Sequence, residues 1–519
     1  MQQKISSQAI QEELQAVLGD PLFLGAGRAS KFLQFIVEET LAGRDHRLKE
    51  YTIGVEVFQK GEDFLPQADP AVRIEAGRLR KRLEQYYLSQ REGFIEITIP
   101  KGGYIPHFKT RTPPTSSGNG QHQGEKKPPS LAIHPFDSAT PKETSLFADL
   151  LTQELKKSIG NSGDFLLLGE KEGKADYLLT GKIFRRRGSL LLYCDLICQE
   201  DGSILWTESF PLKSPGGFPI RMAEALAEQV AALVTGRGGV LYDLIGEEMQ
   251  NTDEVPGNIL GIRILYILHK KRMEPGMAGR IRIAIERLLA QQEDRGDLCA
   301  LLSQVYWDFC MDIDWNALVN RDESFNFCRD KALKWRDEAM RLDPDGEDTL
   351  VCGLRSSFHT GDFEGLQIAA EKLFRSGRAS PFSMATGALL YGISGGWETG
   401  KAILDDCMPL ITHHPGWFHH LHCQYFLRQM DYEEVMEKAR LFGQGDILWY
   451  YIYSSAALGL LGRKEEGDVF LKEFFRQCPG AKRGVKNFLS SYVGVPELLD
   501  LVISGLQVSG LGDPRDVNS

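Results

Sequence analysis

The stretch "DPAVRIEAGRLRKRLEQYY", residues 69–87, decides how the first part of the chain is read. Asp69 can cap free helix amides and Pro70 suits the first helical position, so a helix is predicted to begin here. With a rotation of about 100° per residue, Val72, Ala76, Leu79, Leu83 and Tyr86 fall on one side and form a core stripe. The other side is basic: five Arg and Lys lie within the ten positions from Arg73 to Arg82, against one acid, Glu75. Lys81 lies opposite the stripe, with Ile74, Gly77, Arg78 and Gln85 within about a quarter turn of it and Arg73, Arg80 and Arg82 flanking. Gly77 costs about 1 kcal/mol against Ala inside a helix, and a bare spot there would allow close approach to a groove wall. The competing reading is a helix face that is merely solvated.

The neighbours of this helix sharpen the choice. Helical apolar spacing covers 8–18 and 30–43, the second as "SKFLQFIVEETLAG" with Phe32, Phe35, Ile36 and Leu41 on one stripe. A short helix fits "LKEYTIGVEVF" at 48–58, and after the basic helix "FIEITI" reads as a strand, "PKGG" as a turn and "YIPHF" as a return strand. A B-DNA major groove admits one α-helix, where Arg or Lys can meet guanine edges and an apolar side chain a thymine methyl. Arg78 and Lys81 are therefore the base-reading candidates, with Ile74 for a methyl contact. Arg73, Arg80, Arg82, Lys101 at the hairpin tip and Tyr104 are the phosphate candidates, which would fix register rather than read sequence.

The whole chain constrains this. At 519 residues, and about 150 per domain, three or four domains are expected. The net charge of −11 argues against wholesale attraction to nucleic acid, whereas residues 1–110 are close to neutral, so binding would have to be local. No apolar run reaches the roughly 20 residues of a membrane helix; "YYIYSSAALGLLG" at 450–462 fits a packed helix instead. The opening "MQQKISSQAIQEELQAVL" carries no secretory signal pattern. Nine scattered cysteines without a CxxC read as reduced thiols, and a cytoplasmic location is expected. Cys194 and Cys198 share a parity on a predicted strand, which favours packing over metal binding.

The expected architecture is multidomain. It comprises an α+β unit over 1–110, a linker over 111–129, an α/β domain over 130–240, an all-α region over 255–505 and a disordered tail over 506–519. The linker "RTPPTSSGNGQHQGEKKPP" is rich in Pro, Gly, Ser and charge. In the α/β domain "SLAIHPF", "DFLLLGE", "ADYLLTGKIFRRR", "SLLLYCDLICQ" and "ILWTESF" read as strands, with helices at "TSLFADLLTQELKKSI" and about 218–235. In the helical region the turns "TGDF", "GGW", "MDY" and "GRK" place Phe363, Trp397, Tyr432 and Lys464 at spacings of 34, 35 and 32 residues. Pro344, Pro381, Pro415 and Pro479 keep a similar period with one beat missing, and paired helices at this period mark tetratricopeptide (TPR) repeats.

"AVRIEAGRLRKRLE" followed by "IEITIPKGGYIP" resembles the end of the OmpR/PhoB-type winged-helix DNA-binding domain. Arg78, Leu79, Arg80 and Lys81 match its recognition-helix core, and Gly102, Gly103 and Tyr104 match its wing turn. No receiver domain precedes this segment, so control through an attached phosphoaspartate is not carried over. With "RASKFLQFIVEETLAGRDHRLKEYTIGVEVF", the chain is similar to a bacterial group that joins an N-terminal winged helix, a TolB-like α/β domain and C-terminal TPR repeats. The resemblance implies a DNA-binding transcription regulator.

Other constellations are weaker. "GGWETGKA" at 395–402 approaches a phosphate-binding loop, but Ala402 replaces the Mg²⁺-binding hydroxyl and the context is helix–turn–helix. "THHPGWFHHLHC" holds five histidines, and His419, His422 and Cys423 at i, i+3 and i+4 could face one metal or pack between repeats. "FRRRG" at 184–188 reads as a hairpin turn, solvated or touching phosphate. No nucleophile–base arrangement stands out, so neither catalysis nor a cofactor is expected. The expected partners are double-stranded DNA and a protein or peptide received by the TPR-like repeats, without a membrane. A homodimer would enlarge the modest DNA interface of one small winged helix. The alternative is a non-catalytic scaffold whose winged helix docks protein.

Overall fold

The structure is a computed structural model. It describes residues 6–20, 23, 27–58, 60–61, 71–89, 95–100, 103–110, 128–138, 142–160, 164–169, 174–186, 189–212, 220–250, 256–273, 277–292, 294–310, 323–377, 379–443, 446–478, 481 and 484–512. The expected linker at 111–129 lies almost wholly outside these residues. The fold is mixed and mostly helical, with a small mixed sheet and a C-terminal helical stack.

The N-terminal unit contains α1 (Ser7–Leu18), α2 (Gly27–Leu41), α3 (Glu50–Glu56), α4 (Ala71–Ser89) and a hairpin of β1 (Ile95–Thr98) and β2 (His107–Thr110). Ser6 opens α1 by accepting the Ala9 amide at 3.2 Å, as expected of an N-cap hydroxyl. The apolar stripe of α4 is buried: Val72, Ala76 and Leu79 are inaccessible, and Leu83 and Tyr86 nearly so. They join Phe32, Ile36, Ile53 and Ile97 in a core of their own. The hairpin pairs Ile95 with Thr110 and Thr98 with His107. Its return strand starts at His107 rather than at Tyr104, because Pro106 has no amide to give a ladder.

The sheet has the order β5-β3-β6-β7-β8, formed by β3 (Ser130–Ile133), β5 (Leu166–Leu168), β6 (Tyr177–Arg186), β7 (Ser189–Cys198) and β8 (Ile204–Leu212). A two-residue strand not anticipated from sequence, β4 (Asp137–Ser138), pairs beside β6. Strand β3 lies parallel to β5 and β6, while β6, β7 and β8 run antiparallel. Helices α5 (Lys142–Gly160) and α6 (Ile220–Thr235) pack together, and Leu151, Leu155, Ala227 and Val230 are buried with Leu179, Ile183, Leu192 and Leu196 of the sheet. Cys194 is buried on the same sheet, and all nine cysteines are free thiols.

After α7 (Val240–Gln250) the described chain is helical: α8 (Ile259–Arg272), α9 (Met277–Leu289), α10 (Gly296–Asp308), α11 (Glu323–Leu342), α12 (Glu347–Thr360), α13 (Phe363–Arg375), α14 (Pro381–Ile393) and α15 (Trp397–Cys407). Then follow α16 (His419–Arg428), α17 (Tyr432–Ala439), α18 (Ile447–Leu460), α19 (Lys464–Gln477), α20 (Val485–Leu489) and α21 (Pro496–Val508). Phe363, Trp397, Tyr432 and Lys464 are each the first residue of a helix: α13, α15, α17 and α19. Two positions before each stands a residue with positive φ: Gly361 at 76°, Gly395 at 119°, Met430 at 60° and Gly462 at 75°. The period seen in sequence is thus a repeated left-handed closure of one helix followed by the start of its antiparallel neighbour. Asp362 and Asp431 cap two of these starts, accepting from Gly365 and Glu434 amides at 2.9 and 3.3 Å.

The sheet and the stack share one continuous core, joined through Phe165 against Tyr242 with ring centroids 6.0 Å apart. The described residues therefore form two main cores, one for the N-terminal unit and one shared by the sheet and the stack. The disordered tail expected over 506–519 does not hold for its first residues, since α21 runs to Val508 with Leu506 fully buried, and residues 513–519 lie outside the described residues. Among the described residues, no helix is long and apolar enough to cross a membrane.

Candidate functional site

The basic helix α4 turns its apolar stripe inward, and the described cations of its other faces have different fates. Arg73 is exposed, with Nε 3.5 Å from Glu50 Oε1, and Arg82 is half-buried. Arg80 instead spends its guanidinium on the hairpin: Nε donates to the Ile99 carbonyl at 3.1 Å and Nη2 to the Gly103 carbonyl at 2.8 Å. It ties Ile99 and Gly103 to the helix, which leaves fewer of its donors for the phosphate contact expected from sequence. A second tie runs from the Ile97 amide to the Tyr87 hydroxyl, 2.9 Å and buried.

Tyr104 is half-buried. Its ring lies 6.1 Å from that of Phe32, and burial, then the charge of Glu50, raises its hydroxyl pKa. A half-buried side chain spent on packing is poorly placed to reach a phosphate. At Gly77 an added Cβ would meet nothing within 4 Å, so packing does not demand glycine there. The α4 backbone is helical at Ile74, Arg78 and Lys81, but these side chains, like Lys101 as a whole, lie outside the described residues.

Sequence reasoning missed a second site inside the helical stack. Arg237 forks onto Asp348 at 2.6 and 3.3 Å, and Arg263 meets the same carboxylate at 3.0 and 2.8 Å. Burial opposes the charge of Asp348, yet Arg237 and Arg263 hold its carboxyl below the usual range. Arg263 also reaches Asp164 at 3.3 Å and Asp297 at 3.2 Å, so one guanidinium ties the sheet domain to α10 and α12. Deeper in, Lys270 and Arg355 converge on the fully buried Asp308 at 2.9 and 2.5 Å. The available signal was spacing: Arg263 and Lys270 on α8, and Asp348 and Arg355 on α12, each stand seven residues apart on helices otherwise rich in buried positions.

Beside this network lies a cleft partly open to solvent. Arg237, Arg263, Lys270 and Arg355 reach its wall along with one carboxylate, Asp348. The lining also includes the apolar and aromatic side chains of Phe382, Leu389, Leu390, Trp417 and Tyr492. Trp417 is held there by donating its indole N–H to the Lys270 carbonyl at 2.8 Å.

The histidine cluster does not assemble as a three-residue ligand set. His419 Nδ1 lies 3.3 Å from His422 Nδ1, and His422 Nε2 lies 2.8 Å from Asp405 Oδ1. Cys423 points away, its thiol 3.8 Å from the Val435 carbonyl. No group of three or more potential metal ligands occurs among the described residues. Burial, reinforced by His422 and His414, pushes the pKa of His419 down to about 3. The near-match to a phosphate loop is a helix–helix crossing: a Cβ on Gly400 would sit 2.6 Å from the Ala388 carbonyl oxygen, and Lys401 pairs with Asp405 at 2.5 Å. The centre of "FRRRG", from Arg185 to Gly188, falls on side chains or residues outside those described.

No protein-family model matches the chain, and no curated protein matches it significantly.

Proposed function

We propose that the chain is a DNA-binding transcriptional regulator of the cytoplasm. In this reading residues 1–110 form an OmpR/PhoB-type winged helix, the sheet domain is TolB-like, and the TPR-like stack receives a protein or peptide signal. The observation that carries it is the clamp between α4 and the hairpin. Arg80 fastens the Ile99–Gly103 turn beside a helix whose stripe is buried and whose Arg73 is exposed. A helix so anchored can enter a major groove while the neighbouring hairpin lies along backbone phosphate.

The test is fluorescence anisotropy of the full-length protein on pooled genomic DNA fragments across a salt series. Binding that weakens steeply with salt is expected, because phosphate neutralisation releases counterions. Arg78→Ala should blur sequence preference, whereas Lys101→Ala should lower affinity uniformly. Absence of binding at low salt overturns the proposal.

A second reading, a protein-interaction scaffold, has an observation in its favour. Helix α4 already packs against α9 of the same chain, and Asp20 of the same unit pairs with Arg282 there. Protein partners captured equally by wild type and by the triple variant Arg78→Ala, Lys81→Ala, Lys101→Ala, without DNA binding, would favour it.

A further inference from the structure

We infer that the cleft of the helical stack binds an organic monocarboxylate, a single carboxylate attached to an apolar body. This goes beyond the regulatory reading and holds whether or not the chain meets DNA.

The charge of the described lining is one-sided. Four cations and Asp348 reach the wall, while Asp308 lies fully buried behind Lys270 and Arg355, and Glu347, Asp164 and Asp297 stand beside Arg237 and Arg263 away from the described lining. An anion is favoured in such a setting, since low-dielectric walls strengthen its attraction to fixed cations. Two neutral groups have unused capacity. Gln304 accepts from the Tyr266 hydroxyl at 3.3 Å, but its amide nitrogen has no partner among the described residues. The Ser383 hydroxyl likewise has none. Both side chains belong to residues that are only 5% exposed, and both line the cleft.

The number and shape of these groups narrow the ligand. Lys270 and Arg355 hold Asp308 while lining the cleft, Arg237 and Arg263 share Asp348, Arg237 also meets Glu347, and Arg263 also meets Asp164 and Asp297. Each cation therefore offers a share of its field, which suits one negative charge better than a phosphate dianion. The Gln304 amide and the Ser383 hydroxyl can donate to the two oxygens of a carboxylate. The aromatic and leucine side chains of the same lining would cover an apolar body, as in the mostly apolar pockets that small molecules occupy. The carboxylate can come from a free acid or from the terminus of a peptide chain.

Isothermal titration of the full-length protein with 4-phenylbutyrate and its neutral amide, 4-phenylbutanamide, tests the charge requirement. The tripeptide acetyl-Gly-Gly-Phe, with a free or an amidated terminus, separates the two sources. The acid is expected to bind at least tenfold more tightly than the amide. Lys270→Met removes a partner of Asp308 and can unfold the chain, so the cleft is better filled from Thr386, a half-buried lining residue. Thr386→Trp should abolish binding with an unchanged unfolding midpoint, and Ser383→Ala should weaken it several-fold. Tighter binding of the free peptide than of the acid assigns a chain terminus; the reverse assigns a small molecule. Equal binding of acid and amide, undiminished binding by Thr386→Trp, or no heat from any probe at millimolar concentration overturns the inference.

Discussion

Arg282 and Asp20, 262 positions apart in the chain, meet across a buried seam with Nη2 3.2 Å from Oδ2. The pair fastens the N-terminal unit to α9 of the helical stack, and Arg282 also reaches Glu286 at 3.4 Å. Removing one partner of a buried ion pair leaves the other uncompensated, at a cost of about 3–5 kcal/mol. Asp20→Ala should fall at or below the lower end, because Arg282 keeps Glu286. The expected result is faster trypsin cleavage between the N-terminal unit and the sheet domain, with the stack still resistant. An unchanged cleavage rate would show that apolar packing alone holds the seam.

Arg80→Lys tests the clamp. Lysine keeps the charge but lacks the planar fork that spans the Ile99 and Gly103 carbonyls. DNA affinity should fall several-fold with the salt dependence preserved. Arg73→Ala, by contrast, should reduce the salt slope by about one if it neutralises one phosphate. Anisotropy titrations at four salt concentrations separate the two behaviours.

Met430 is the non-glycine member of a set of left-handed turn residues, with φ of 60°. That backbone region costs an L-residue about 1–2 kcal/mol, and Met430 is 72% exposed, so little packing is lost on its removal. Met430→Gly should stabilise the stack by about 0.5–1 kcal/mol, after the added unfolded-state freedom of glycine is subtracted. Gly462→Ala, at φ of 75°, should destabilise it by a similar amount. Urea midpoints at constant slope are the readout.

Acid should weaken the stack through His419. Its folded pKa lies at about 3 because burial disfavours the charged ring, well below the ordinary 6.5. The unfolded chain therefore binds a proton that the folded chain does not. This contribution to stability is intact above pH 6.5 and declines as pH falls from there toward 3. At about 1.4 kcal/mol per pH unit, lowering pH from 7 to 5 should cost about 2 kcal/mol, with His422 adding in the same direction. His419→Gln should flatten the dependence of the urea midpoint on pH over that interval.

The helical hairpins were legible because the same turn chemistry recurs at the same offset before Phe363, Trp397, Tyr432 and Lys464. The stripe of α4 was equally plain, since period and burial agree at Val72, Ala76, Leu79, Leu83 and Tyr86. The use of each cation was not. Arg80 and Arg73 look alike in sequence, and only the position of the Ile99–Gly103 turn, 19 to 23 residues away, separates a clamp from an exposed charge. The ionic network was hidden for the same reason. Asp308 meets Lys270 and Arg355 across 38 and 47 residues, and Asp348 meets Arg237 across 111, distances at which local spacing carries no information. Seven-residue intervals within α8 and α12 show that charges share a face, not that the faces converge.

The left-handed closures at 361, 395, 430 and 462 give successive hairpins the same joint. A joint repeated at nearly constant phase makes the hairpin a unit of duplication. A genetic event that gains or loses one whole unit would leave the boundaries on either side geometrically compatible, whereas a partial unit would rotate everything beyond it.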